Sequence, residues 1–148
     1  MSSTHFSLYF HLIFSTKGRR AWIKAAWEDR LHAYMGGIVR GLGGVAETIG
    51  GTEDHVHILA SLKATHRLDE VLREIKSSSS AWVHNKIGNR LFDWQEGYGA
   101  FTVSSWGREA LRKYIDGQKE HHKKVTFREE YLRLLCESGI DFDERYLW

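Results

Sequence analysis

Glu53-Asp54-His55-Val56-His57-Ile58-Leu59-Ala60-Ser61-Leu62 alternates polar and apolar residues and reads as a β-strand. Side chains two apart on a strand share a face, so His55 and His57 project side by side while Val56 and Ile58 point the opposite way into a core. Two imidazoles on one face are what a divalent metal needs from a strand. The same His-x-His pair is equally read as two half-exposed strand histidines with no ligand, so the neighbours must decide. Position 59 is Leu, where a histidine-triad hydrolase needs a third His. A two-histidine phosphoesterase needs Ser or Thr two residues after each His, and those positions are His57 and Leu59. Ser61 to Ala64 offers no acid for a cupin site. One cysteine, Cys136, is too few for a structural zinc site.

Working outward, Phe6 to Ser15 alternates and is rich in aromatic and branched residues, which predicts a first strand. Ala25 to Leu42 carries Trp27, Leu31, Tyr34, Met35, Ile38 and Leu42 at helical spacing, and Gly41, Gly43 and Gly44 stop that helix. Val45 to Gly50 is a second strand, joined through Gly51 and Thr52 to the histidine strand as a hairpin. Leu68 to Ile87 is a second helix, and the serine run Ser77 to Ser80 lies inside it. Ala100 to Ser105 is a fourth strand, Gly107 to Lys124 a third helix and Thr126 to Ser138 a fourth. The order β-α-β-β-α-β followed by helices is that of the ferredoxin-like split fold, an α+β class with one antiparallel sheet, helices on one face and additional C-terminal helices. The other sheet face must be covered, solvated or shared with a partner.

Length and composition set outer bounds. A chain of 148 residues, 42% hydrophobic and 27% charged, fits one domain, 1–148, with a real core. The net charge of +2 argues neither for nor against nucleic acid, because a bland total can hide a basic face. A single cysteine permits no internal disulfide and suits a reducing cytoplasm. Met1-Ser2-Ser3-Thr4-His5 has no basic flank, and the short apolar run after it is broken by His11, so neither a signal peptide nor a membrane span is expected. Cys136 is expected to be buried packing.

The third helix carries the second chemical signal. Tyr114 and Gln118 stand four apart in Arg112-Lys113-Tyr114-Ile115-Asp116-Gly117-Gln118 and share a helical face. A tyrosine at this spacing is also ordinary core. Gly117 inside the helix costs about 1 kcal/mol relative to Ala, which suggests a need for space or flexibility there. Basic Arg108, Arg112, Lys113, Lys119, Lys123 and Lys124 crowd the same helix, as a polyanion site or as a solvated face. Lys17, Arg19 and Arg20 precede Trp22 and could grip a backbone beside a stacked base. A solvated turn with Trp22 packed inward fits equally. His121 and His122 follow Gln118 and either sit near the metal or, as the favoured reading, form a solvated helix end, and His5, His11, His32, His66 and His84 have no partner at ligand spacing.

Together these segments resemble the single-tyrosine HUH transposases of the IS200/IS605 type over nearly the whole chain. The resemblance rests on the opening strand, Asp54 to Leu59, Gln95 to Ser104, Tyr114 to Gln118, and the tail from Phe127-Arg128-Glu129-Glu130-Tyr131 to Trp148. Members often place proline before the Asp-His-Val-His block, where this chain has Glu53. The resemblance implies Tyr114 as nucleophile, with His55, His57 and Gln118 as ligands of Mg²⁺ or Mn²⁺. It also implies a homodimer acting on hairpin-bearing single-stranded DNA at the ends of an insertion sequence. A host-adapted relative acting on repeated genomic palindromes is the alternative. Lys17, Arg19, Arg20, Arg112 and Lys113 are the candidate DNA contacts.

Overall fold

The structure, a computed structural model, describes residues 3–148. The Met1-Ser2 part of the N-terminal reading lies outside the described residues. Among those described, no helix is long and apolar enough to cross a membrane.

The main helices and strands follow in order: β1 (Tyr9–Ser15), α1 (Ala25–Gly41), β2 (Val45–Thr52), β3 (His55–Ser61), α2 (Leu68–Trp82), β4 (Gly99–Val103), α3 (Arg108–Asp116), α4 (Gln118–His121) and α5 (Phe127–Glu137). The strands form one antiparallel sheet in the order β2-β3-β1-β4. This is the expected α+β ferredoxin-like arrangement, with the histidine strand β3 in the interior of the sheet, where all but its last residue is buried.

Register divides the side chains between two faces. Val56, Ile58 and Ala60 stand opposite Phe14, Leu12 and Phe10. They pack with Trp27, Leu31, Met35, Val39, Leu72 and Ile75 of α1 and α2 as the larger core. His55 and His57 stand opposite Ser15 and Ile13 on the reverse face. That face is closed by the chain itself. There Ile13 packs with Phe127, Tyr131 and Leu135 of α5, flanked by Leu147 and Trp148, and α3 and α4 lie against β2. The expectation that helices flank one face holds for α1 and α2, and the extra C-terminal helices cover the other.

Boundaries shift where local chemistry overrides pattern. β1 begins at Tyr9 rather than Phe6, and β2 runs on through Gly51 and Thr52, so that only Glu53-Asp54 turns the hairpin. A bulge between Ala46 and Thr48 kinks the edge strand β2. Arg112 donates to the Glu47 carbonyl at 2.9 Å from α3. The predicted third helix breaks at Gly117 (φ −92°, ψ 13°), giving α3 and a single turn, α4. Val83–Ile87 continues α2 as a wider π-type turn. Inside α2, Ser79 is buried, donates to the Ile75 carbonyl at 2.6 Å and accepts from the Trp94 indole at 2.9 Å, which accounts for a hydroxyl on an apolar stripe. Cys136 is exposed, contrary to the expectation of buried packing, because the buried side of α5 is taken by Phe127, Glu130, Tyr131 and Leu135.

Gly50 sets how near α3 comes to the sheet. A Cβ there would lie 2.3 Å from the Ile115 carbonyl oxygen. Gly50→Ala must therefore push α3 off β2, with an expected cost of about 1–3 kcal/mol. Urea unfolding checks this, and an unchanged midpoint would contradict it.

Candidate active site

The site is assembled from β3, the α3–α4 break and α5. His55, His57 and Glu130 are wholly buried, and Gln118 nearly so. His55 is oriented from behind: its Nδ1 lies 2.8 Å from Asp54 Oδ1 and 3.1 Å from Thr52 Oγ1. A carboxylate only accepts, so Nδ1 carries a proton and Nε2 is the nitrogen turned inward. That nitrogen is 2.9 Å from Gln118 Oε1 and 3.6 Å from Glu130 Oε1. One imidazole nitrogen and two oxygen acceptors, Gln118 Oε1 and Glu130 Oε1, thus converge on one point, a donor set suited to a cation.

His57 has the same two-sided placement. Nδ1 is 2.7 Å from His11 Nε2, and Nε2 is 3.0 Å from Glu130 Oε1. Burial holds His57 down to about 4, so it is neutral at neutral pH, and without an ion its Nε2–H donates to Glu130. His122 Nε2 stands 3.1 Å from Glu130 Oε1. One donor atom from each of His55, His57, His122 and Glu130 lies within 4.8 Å of the others. Ligands about 2.1 Å from a common ion stand roughly 3–4 Å apart, so small rotations bring this set onto a divalent cation.

The phenol faces the same carboxylate. Tyr114 Oη donates to Glu130 Oε2, and Gln118 Nε2 donates to that oxygen at 3.0 Å. The Tyr114 ring meets His57 edge-on with centroids 5.8 Å apart. Burial, then Glu130, pushes the Tyr114 hydroxyl above its ordinary value, so without a cation the phenol stays protonated. Burial alone would raise Glu130, but hydrogen bonds from His122 and His57 outweigh it and hold the carboxyl well below the usual range.

These shifts fix an acid response. Burial lowers His57 from 6.5 to about 4 and His11 to about 3, so the unfolded chain takes up protons that the native site refuses. Stability therefore falls as pH drops from 6.5 toward 4. Glu130 adds to the loss below its ordinary 4.5, where the unfolded carboxyl protonates first. His122 opposes it: burial pushes it down but Glu130 raises it overall, so its contribution is complete below 6.5 and is lost as pH rises through the folded value. With His11, His57, His32, His121 and the Glu130 and Asp54 carboxyls against His122, metal-free protein is expected to unfold at lower urea at acid pH. A midpoint that is flat or rises on acidification would contradict this.

Residues 4–118 match the family described as IS200-like transposase. The chain belongs to that family. No curated protein matches it. Among solved structures, the transposase fold is similar to a candidate transposase from Deinococcus radiodurans R1, at 22% identity and TM-score 0.67, covering 80% of this chain and 95% of that one. It is also similar to a REP-associated tyrosine transposase bound to a REP hairpin, at 15% identity and TM-score 0.61, covering 84% of this chain and 76% of that one.

Of the residues singled out in the sequence, the transposase brings His55, His57, Gln118 and Tyr114 together within one chain. Lys17 and Arg20 are exposed; Arg19 stacks 4.9 Å from the Trp148 ring centroid, and Arg20 lies over half-buried Trp22. Arg19 and Gly18 line a cleft that continues along Thr52, Glu53 and Asp54 to His122. Arg112 is held on Glu47, while Lys113 is exposed. Three residues were missed. His11, expected to lack a partner, backs His57. His122, expected at a solvated helix end, sits in the cluster with its side chain 9% exposed, because α4 is one turn long and folds its end over β3. Glu130 stood in the tail without a role. Its signal is position: with Phe127, Tyr131 and Leu134 it forms an i, i+3, i+4, i+7 stripe, and a carboxylate on an apolar stripe needs a reason.

Proposed function

We propose that this transposase nicks and rejoins single-stranded DNA through a 5′-phosphotyrosine on Tyr114, at hairpin ends of an insertion sequence. His55, His57 and Gln118 would hold Mg²⁺ or Mn²⁺. The observation that carries this reading is the meeting of the phenol, the amide and both imidazoles around one buried point. When bound, the divalent ion neutralises and orients the scissile phosphate.

The chain supplies the rest. Asp54 and His11 fix the two imidazoles so that their inner nitrogens face the centre. Tyr114 Oη is aimed there by its hydrogen bond to Glu130 Oε2, with its proton already directed at an acceptor. Attack of Oη on phosphorus, its proton passing to Glu130 Oε2, forms the phosphotyrosine as the bond to the neighbouring nucleotide's 3′ oxygen breaks, and that oxygen takes a proton from water to leave as a hydroxyl. The ester conserves the bond, so rejoining needs no ATP, and no Gly-x-x-x-x-Gly-Lys loop occurs in the sequence. Lys17, Arg19, Arg20 and Lys113 would contact the DNA backbone, Arg112 serving mainly to hold α3. We read residues 1–148 as one domain, working in a homodimer in the cytoplasm.

The test is incubation with labelled hairpin-bearing single strands and Mg²⁺ or Mn²⁺, followed by denaturing electrophoresis. A covalent protein–DNA band that chelator abolishes is expected; cleavage without any such band would refute the tyrosine mechanism. Lys17→Ala with Arg20→Ala should weaken binding and flatten its salt dependence by about one unit of log–log slope for each phosphate no longer neutralised. An unchanged slope would remove these residues from the interface. The likeness to a hairpin-bound REP-associated transposase favours a second reading, action on repeated genomic palindromes. Element ends flanking the gene would decide against it.

A further inference from the structure

We infer that Glu130 and His122 are themselves metal ligands beside His55 and His57, so that three imidazoles and a carboxylate, more than the Gln118 amide, define the centre and make it prefer Mn²⁺ or another first-row transition ion to Mg²⁺. This rests on the reading of His55 and His57 as ligands. Both added residues lie beyond the segment 4–118 that matches the family, on the connection after α4 and on α5.

The two oxygens of Glu130 divide the work. Oε1 faces the imidazoles: His57 Nε2 at 3.0 Å, His122 Nε2 at 3.1 Å and His55 Nε2 at 3.6 Å. Oε2 faces Tyr114, Gln118 and, at 3.4 Å, His121. A carboxylate so placed can take an ion through Oε1 and still hold the nucleophile and the amide through Oε2. Gln118 meanwhile has both ends engaged, with Oε1 on His55 and Nε2 on Glu130. Glu130 is wholly buried, so its charge depends on the partners gathered round it, and an ion among the imidazoles would be one more. Phe127 stacks on His55 with centroids 4.4 Å apart, and Tyr131 stacks on Phe127, so the helix that carries Glu130 is anchored on both sides of it.

Donor chemistry then sets the preference. Mg²⁺ favours oxygen ligands and keeps several waters. Imidazole suits later first-row ions, and affinity rises along the series from Mn²⁺. Three nitrogens and one oxygen therefore discriminate against Mg²⁺ more than two nitrogens and an amide would.

The test measures metal binding to the full chain without DNA, by Mn²⁺ electron paramagnetic resonance and by the visible spectrum of added Co²⁺. The wild-type chain should bind Mn²⁺ with Mg²⁺ a poor competitor. Glu130→Gln and His122→Ala should each weaken Mn²⁺ binding by roughly tenfold or more, and Glu130→Gln should change the Co²⁺ bands. Circular dichroism confirms folding, and Glu130→Asp supplies a variant that keeps the charge, with binding between wild type and Gln. Unchanged affinity in folded Glu130→Gln and His122→Ala would overturn the inference while leaving His55 and His57 as ligands. Stronger binding in Glu130→Gln would overturn it too, by showing that the carboxylate occupies the site in place of an ion. No Mn²⁺ or Co²⁺ binding by wild type, or binding indifferent to His57→Ala, would defeat the underlying reading instead.

Discussion

Tyr114→Phe is expected to abolish covalent attachment of the protein to single-stranded DNA while leaving hairpin binding intact. The substitution removes one oxygen, the atom that must bond to phosphorus, and keeps the ring that meets His57 edge-on. Tyr114 is half-buried, so the ring also keeps its packing. Without the hydrogen bond from the phenol, the Glu130 carboxylate still has His57, His122 and Gln118, so the fold should survive. The measurement pairs a gel-shift titration with a denaturing gel on the same samples. An adduct that persists in Tyr114→Phe would move the nucleophile elsewhere.

The second large effect is expected from His57→Ala. His57 is wholly buried on the interior strand β3, between His11 and Glu130. Its removal takes an inner nitrogen from the centre and leaves two buried polar groups facing a cavity. Cleavage should fall by about a thousandfold, the scale seen when a positioned electrostatic contact to a reacting group is removed. Hairpin binding at fixed salt should change little, because phosphate contacts carry most affinity and the proposed contacts, Lys17, Arg19, Arg20 and Lys113, do not include His57. Single-turnover cleavage measured across a metal titration reads the effect. Full-rate cleavage at ordinary metal concentration would remove His57 from the chemistry.

Much of the fold is legible in local pattern. The alternation of His55 to Ser61 marks a strand with a histidine-bearing side and a core-facing side, and the pairing register reproduces that split. The helices α1 and α2 follow from their apolar stripes. Tyr114 and Gln118, read as one helical face, lie on either side of the break at Gly117 and still reach a common carboxylate. What local pattern does not supply is contact between segments distant in sequence. His11 reaches His57 only because β1 pairs with β3, and Glu130 reaches the site only because α5 folds back over the sheet. The helix break at Gly117 is hinted at by the glycine but not located by it, since tertiary packing rather than propensity ends α3 there: Ile115 is pressed onto Gly50 and Gln118 is drawn under the sheet face. Arg112 shows a further contact that pattern leaves out. A cation on a basic helix reads as a DNA contact, yet its partner is Glu47 at a bulge that periodicity does not reveal.

Mass analysis of the peptide bearing Tyr114, after incubation of the wild-type protein with hairpin-bearing single-stranded DNA and Mn²⁺, tests the central claim most directly. The account predicts an oligonucleotide joined through its 5′ phosphate to Tyr114. Cleaved DNA with a free 5′ phosphate and an unmodified Tyr114, or an oligonucleotide carried instead by Tyr131 or Tyr146, would contradict it.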